Sequence, residues 1–211
     1  MAKNYQVVSC ADIYGISKCT SLVKAGGVIV FPTDTIYGIG CNPYNDSAVA
    51  RIFMIKGRDE RKPLPVLTYS IREAEKIVSL GKAGRLLAQK FWPGALTIVS
   101  SIIDDRISPR VAAGSASLAV RVPSNNCILS VLKHCKFLVG TSANLSGEKS
   151  LKSAREVIDS QLGGFDILLD GGAVDGGVES TIIDINVEAK PRILREGAIK
   201  SSEVLDILDN V

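Results

Sequence analysis

Short apolar runs alternate with amphipathic stretches from one end of this chain to the other, and that alternation most constrains its fold. The runs cover residues 28–31, 65–67, 96–99, 118–122, 137–139, 167–169 and 181–185, set off by Gly, Pro or Asp. Runs this short read as strands, and the stretches between them as helices. Several helices carry start signals. Ser70-Ile-Arg-Glu73 and Ser153-Ala-Arg-Glu156 both fit the capping box, in which serine and glutamate satisfy each other's free backbone donors. Asp46 can cap a helix whose apolar face is Val49, Ile52 and Phe53, and Ser124 one that runs through Ile128, Leu129 and Leu132. Gly26-Gly27 ends a helix that starts near Ile13. The pattern predicts one α/β domain over residues 1–211, with its core at about 9–200. Residues 96–99, and the pair 181–184 and 192–194, lack helices between them and their neighbours. A twisted mixed parallel/antiparallel sheet flanked by helices follows.

Composition narrows the classes. A chain of 211 residues with 46% hydrophobic and 22% charged residues is expected to fold rather than stay disordered. The longest uncharged stretch, 91–103, is 13 residues and contains Pro93 and Gly94, too short and too broken to span a bilayer. The first residues hold no apolar run of signal-peptide length, so a cytoplasmic location without membrane contact is expected. Cys10, Cys19, Cys41, Cys127 and Cys135 are odd in number and never closer than eight residues, which predicts reduced buried thiols rather than disulfides or zinc. The single histidine, His134, is placed at a helix end. No metal site built by the protein is expected, and chemistry falls to Lys, Arg, hydroxyls and backbone. Charge is uneven: residues 1–110 carry 15 basic against 9 acidic side chains, and residues 111–211 carry 10 against 13. Within 51–62 five bases stand against two acids, an anion-seeking surface.

Four segments are candidates for chemistry. Residues 31–40, Phe-Pro-Thr-Asp-Thr-Ile-Tyr-Gly-Ile-Gly, form a turn where backbone can approach a ligand, or a plain turn capped by Asp34. Lys56-Gly57-Arg58 through Pro63 sets cations on a loop after a helix that Gly57 ends, suited to phosphate or carboxylate, although a solvated charge run reads the same way. Residues 139–147 run from a strand into a loop of hydroxyls and amide, where α/β sheets bind ligands. Residues 170–181 hold four glycines within 171–177, a connection between strands or a flap over a site. The phosphate-binding loop G-x-x-x-x-G-K-[ST] is absent, and Gly38-Ile-Gly40 lacks the third glycine of a dinucleotide fingerprint.

Taken in order, PTDTIYGIG, KGR with KPL, SLAVRVP, TSANLSG, ESTIID and ILREG resemble the YrdC/Sua5 family of threonylcarbamoyl-AMP synthases, over about Ala25 to Gly197. The resemblance implies a short single-domain form with a basic concave face. It implies synthesis of threonylcarbamoyl-adenylate and pyrophosphate from L-threonine, bicarbonate or CO2, and ATP. A partner enzyme then moves the threonylcarbamoyl group to tRNA, and direct contact with tRNA or double-stranded RNA stays open. The family's Lys-x-Arg and Ser-x-Asn signature matches Lys56, Arg58, Ser142 and Asn144, implied to be catalytic. The ATP site is implied at Lys56, Arg58, Lys62, Ser117, Ala143, Ser150 and Arg195, and the threonine site at Thr35, Arg121, Thr141 and Thr181. Arg121 suits the substrate carboxylate as a bidentate partner. Mg2+ is expected to arrive with ATP. Two positions depart from the family: Asp59 stands where many members have Pro, and Leu67 where many have a His that contacts threonine. The competing reading is a paralogue without synthase activity that binds RNA or a nucleotide; the intact signature and the scarcity of aromatics beside the cations favour the enzyme.

Overall fold

The computed structural model describes residues 4–186 and 191–208. The first half contributes β1 (Gln6–Ser9), α1 (Ile13–Lys24), β2 (Ile29–Pro32), β3 (Tyr37–Gly40), α2 (Asp46–Lys56), β4 (Val66–Leu67), α3 (Ile71–Ala74), β5 (Val78–Ser79), α4 (Gly81–Phe91) and β6 (Leu96–Ile102). Then come β7 (Ser117–Arg121), α5 (Asn126–Cys135), β8 (Leu138–Val139), β9 (Thr141–Ser142), α6 (Ala154–Asp159) and β10 (Ile167–Asp170). The chain closes with β11 (Thr181–Asp184), β12 (Arg192–Arg195) and α7 (Ser201–Leu208).

Among the described residues the strands form two mixed ladders. One runs β1-β10-β2-β3-β9; the other runs β12-β11-β6-β7-β4-β8, with β5 against β6. Parallel pairs (β1 with β10, β10 with β2, β11 with β6, β4 with β7) sit beside antiparallel ones (β2 with β3, β6 with β7, β11 with β12). The α/β class and the mixed pairing are as expected from the sequence. The two ladders meet where the chain passes from β8 to β9. There Val139 N–H donates to the Cys41 carbonyl at 2.8 Å, and Gly140 N–H to the Pro65 carbonyl at 2.9 Å. A side chain on Gly40 would collide with the Val139 carbonyl, so the seam needs a glycine. One apolar cluster fills the space under α2 and α4, including Val49, Ile52, Leu87, Ile98 and Val120; a second, with Ile16, Val23, Phe31 and Ile128, lies under α1 and α5.

Two caps shift by one residue from the sequence reading. Asn45, not Asp46, caps α2 by accepting from Ala48 N–H, and Asn125, not Ser124, caps α5 by accepting from Cys127 and Ile128 N–H. Asp46 is the first residue of α2 itself. Ser70 and Ser153 do cap α3 and α6. The cysteine expectation is overturned at one pair: Cys10 and Cys127 form a disulfide between the end of β1 and the first turn of α5. They are 117 residues apart with Cα atoms at 5.3 Å, a proximity made by the fold that spacing along the chain does not reveal. Cys19 and Cys41 are buried thiols, and burial pushes both up to about 12; Cys135 is half-buried. His134 is exposed in the last turn of α5, its Nδ1 against the Ser130 carbonyl. No helix among the described residues is long and apolar enough to cross a membrane.

Candidate active site

Strand alternation builds the site. Along β6, β7 and the entry to β11, Leu96, Ile98, Leu118, Val120, Thr181 and Ile183 turn into the core, and Thr97, Val99, Ala119, Arg121, Ser180 and Ile182 face a cavity of about 280 Å3. Leu67 of β4 continues that wall. Thr33, Thr35, Ile36 and Gly38 of the turn joining β2 to β3 come from the other ladder, with Thr141 and Ser142 of β9 and Arg58 of the loop after α2.

At one end Arg121 is buried, and three of its five N–H donors are spent on the protein. Nε donates to the Gly94 carbonyl at 2.8 Å, Nη1 to Thr35 Oγ1 at 3.1 Å and Nη2 to Asp34 Oδ1 at 2.6 Å. Burial pulls the guanidinium down from its ordinary value, and the Asp34 carboxylate opposes that pull. Thr33 fixes the turn: its Oγ1 shares a hydrogen bond with Thr35 Oγ1 at 3.0 Å, donates to the Ile36 carbonyl at 2.7 Å and accepts from the Thr35 and Ile36 N–H groups. Thr141 lines the cavity nearby.

At the other end stand Arg58 and Arg195. Gly57, in the left-handed region at φ 55°, stops α2 and turns the chain so that Arg58 reaches the cavity. Arg58 is steadied by the Lys62 carbonyl (Nε, 3.3 Å) and the Pro63 carbonyl (Nη2, 3.0 Å). Arg195 donates from Nε and Nη2 to the Ser180 carbonyl at 3.1 and 2.9 Å and pairs through Nη1 with Glu179. Glu179 also accepts from Ser150 Oγ at 3.1 Å, so one carboxylate joins two implied ATP residues.

Other implied residues stand behind the wall. Lys56 is only 2% exposed, and its Nζ donates to the Ser142 carbonyl, to the Asn144 carbonyl at 2.6 Å and to Asn144 Oδ1 at 3.3 Å. It braces the 141–147 loop from beneath. Burial, with Arg58 nearby, pushes its ammonium down to about 8 against a smaller upward pull from Glu179. Asn144 Nδ2 donates to the Glu148 carbonyl at 2.6 Å, and buried Ala143 gives its N–H to the Tyr37 carbonyl at 2.9 Å. Ser117 shares the face of Ala119 and Arg121 but lies four residues back along β7, where its Oγ accepts from Asn186 Nδ2 at 2.9 Å. Lys62 is exposed beyond the cavity lining.

Thr181 is not brought into the cavity. Fully buried, its Oγ1 donates to the Ile199 carbonyl and accepts from Gly197 and Ile199 N–H at 2.9 and 3.1 Å, pinning the turn after β12. Ser180 faces the cavity instead, its Oγ at 2.8 Å from Thr97 Oγ1. The sequence reading missed Ser180, Thr97 and Glu179, and gave Asp34 only a turn-capping role. Strand parity in ESTIID was the signal for Ser180. Asp59 is neutralised by Arg61 at 2.8 Å, which holds its carboxyl down at about 2. The glycine-dense segment is docked on the 33–37 turn: Gly177 N–H donates to the Thr35 carbonyl, and Tyr37 Oη bridges Gly171 N–H and the Gly172 carbonyl.

The family model described as telomere recombination, covering Sua5, YciO and YrdC proteins, matches residues 21–197. A threonylcarbamoyl-AMP synthase of Pyrococcus abyssi is 34% identical over 90% of this chain and 56% of its own length. A putative threonylcarbamoyl-AMP synthase of Mycobacterium tuberculosis is 32% identical over 96% of this chain and 95% of its own length. The crystal structure of P. abyssi Sua5 complexed with L-threonine superposes with a TM-score of 0.90 at 30% identity, over 98% of this chain and 61% of that one. The chain thus spans little more than half the length of the archaeal relative. Match, relatives and superposition converge: the chain belongs to the Sua5/YciO/YrdC family.

Proposed function

We propose that this protein joins L-threonine, bicarbonate or CO2, and MgATP into threonylcarbamoyl-adenylate with release of pyrophosphate. The observation that carries the reading is one cavity with a buried end fitted to a small amino acid and an open cationic end fitted to a triphosphate. Arg121 keeps two N–H donors for the threonine carboxylate, with hydroxyls of Thr35 and Thr141 beside it and Leu67 for the methyl group. The deprotonated threonine amine forms the N–C bond to CO2 as one C=O π bond opens and the amine gives up a proton to solvent, leaving a carbamate. With bicarbonate as donor, the C–OH bond breaks instead and that proton leaves with the hydroxide as water. A carbamate oxygen then attacks the α-phosphorus as the bond to the pyrophosphate breaks. Arg58 and Arg195 are fitted to balance the charge that grows on the departing phosphates, in a reaction where positioning and electrostatics carry most of the rate. Mg2+ comes with the nucleotide: among the described residues no three carboxylate, imidazole or thiol groups gather into a metal site, and Glu179 is already engaged. The names of the synthase relatives support the same chemistry. The acyl-adenylate is a mixed anhydride, consumed by a partner enzyme that acylates tRNA. Pyrophosphate release tests the reading. It is expected to require both L-threonine and bicarbonate, and release that persists without threonine overturns it.

A further inference from the structure

We propose that Asp34 makes the site selective for zwitterionic amino acids over plain carboxylates, by fixing Arg121 and cancelling its charge; the inference rests on the functional reading above. Asp34 itself does not line the cavity, so it acts through Arg121 as a positioning residue. Its Oδ1 accepts from Arg121 Nη2 at 2.6 Å and from Ser124 N–H at 2.9 Å, which ties the arginine head to the turn between β7 and α5. The side chains of Arg121 and Asp34 are 7% and 16% exposed, so little water screens the pair. Arg121 has no freedom left to seek a ligand: Gly94, Thr35 and Asp34 hold all three of its nitrogens. The close approach of the 176–177 backbone to Asp34 and Thr35 locks the turn from above, where a side chain on Gly176 would meet the Asp34 carbonyl at 2.5 Å.

Charge balance then decides the ligand. An unpartnered buried arginine attracts any carboxylate. Here a carboxylate is already present, so a second one leaves two negative charges against one positive in a poorly solvated place. An α-amino acid brings its own ammonium and keeps the balance neutral. Arg195, a cation that also acts on Arg121, is itself paired with Glu179, which offsets its charge.

Calorimetric titration of the full chain with L-threonine and with 3-hydroxybutanoate (threonine without its amine) reads this directly. The unaltered protein is expected to prefer threonine by about 100-fold or more. Asp34→Asn keeps the shape and an acceptor for Ser124 N–H but removes the charge. It is expected to weaken threonine and strengthen 3-hydroxybutanoate, narrowing the preference about tenfold. Thr35→Val removes an acceptor without a charge change and is expected to weaken both ligands alike. A preference unchanged by Asp34→Asn, in a chain that still binds threonine, overturns the inference alone. Loss of the folded transition in Asp34→Asn overturns it too, by showing a merely structural residue. An unaltered chain that binds no threonine overturns the functional reading and this inference with it.

Discussion

At one end of the cavity Arg121 and Thr35 are buried, and the arginine meets a carboxylate before any ligand arrives; at the other, Arg58 and Arg195 reach in from a loop and from the edge strand β12 and stay part-exposed. The first end is finished in advance and suits discrimination between small molecules. The second suits a long, highly charged, hydrated ligand that supplies much of its own order. The Lys-x-Arg motif straddles the difference, since Lys56 is spent on holding the 141–147 loop and Arg58, two residues on, faces the cavity.

The largest effect is expected at the finished end. Arg121→Met leaves the Asp34 carboxylate without its cation, and stability should fall by about 3–5 kcal/mol in denaturant unfolding, with threonine binding lost. A loss below about 1 kcal/mol would mean this end is not prebuilt. Lys56→Met strands the Ser142 and Asn144 carbonyls and should cost about 2 kcal/mol. Arg58→Ala should stay within about 0.5 kcal/mol of the unaltered protein, yet lose about 100-fold in turnover. Equal stability losses for these two would dissolve the distinction between brace and ligand. If Leu67, which lines the cavity, receives the threonine methyl as proposed, serine should lose roughly 10- to 200-fold in kcat/KM against threonine. The smallest effect is a titration. Lys56 should lose its proton near pH 8, followed by NMR of its side chain. Because the Glu179 carboxylate raises that value, Glu179→Gln should move it lower still; an upward move would mean that Glu179 does not act on Lys56 as described.

The seven apolar runs were legible as strands because runs of that length are hard to hide, and the pairing of residues 181–184 with 192–194 appears as β11 against β12, whereas the short or polar β1, β5 and β9 carried no such run. Tyr37–Gly40 was read as part of a turn because glycine disfavours strands; pairing on both sides with β2 and β9 overrides that preference. α4 begins with no side-chain cap, so it gave no start signal. Asn45 with Asp46, and Ser124 with Asn125, are adjacent capping types, and only the extended backbone of Asn45 and Asn125 selects between them. In the site, residue identity pointed to Arg121 and Arg58 but not to their partners. Asp34 meets Arg121 from 87 positions away, and which of Ser180 and Thr181 faces the cavity depends on the phase of a single strand.

Titrating Arg58→Ala and Arg121→Lys with ATP and with L-threonine tests the division of the cavity most directly. The account predicts a crossed pattern. Arg58→Ala loses about tenfold or more in ATP affinity and keeps threonine within about twofold, whereas Arg121→Lys does the reverse. Parallel loss of both ligands in either variant would contradict it, because the two ends would then be one undivided site.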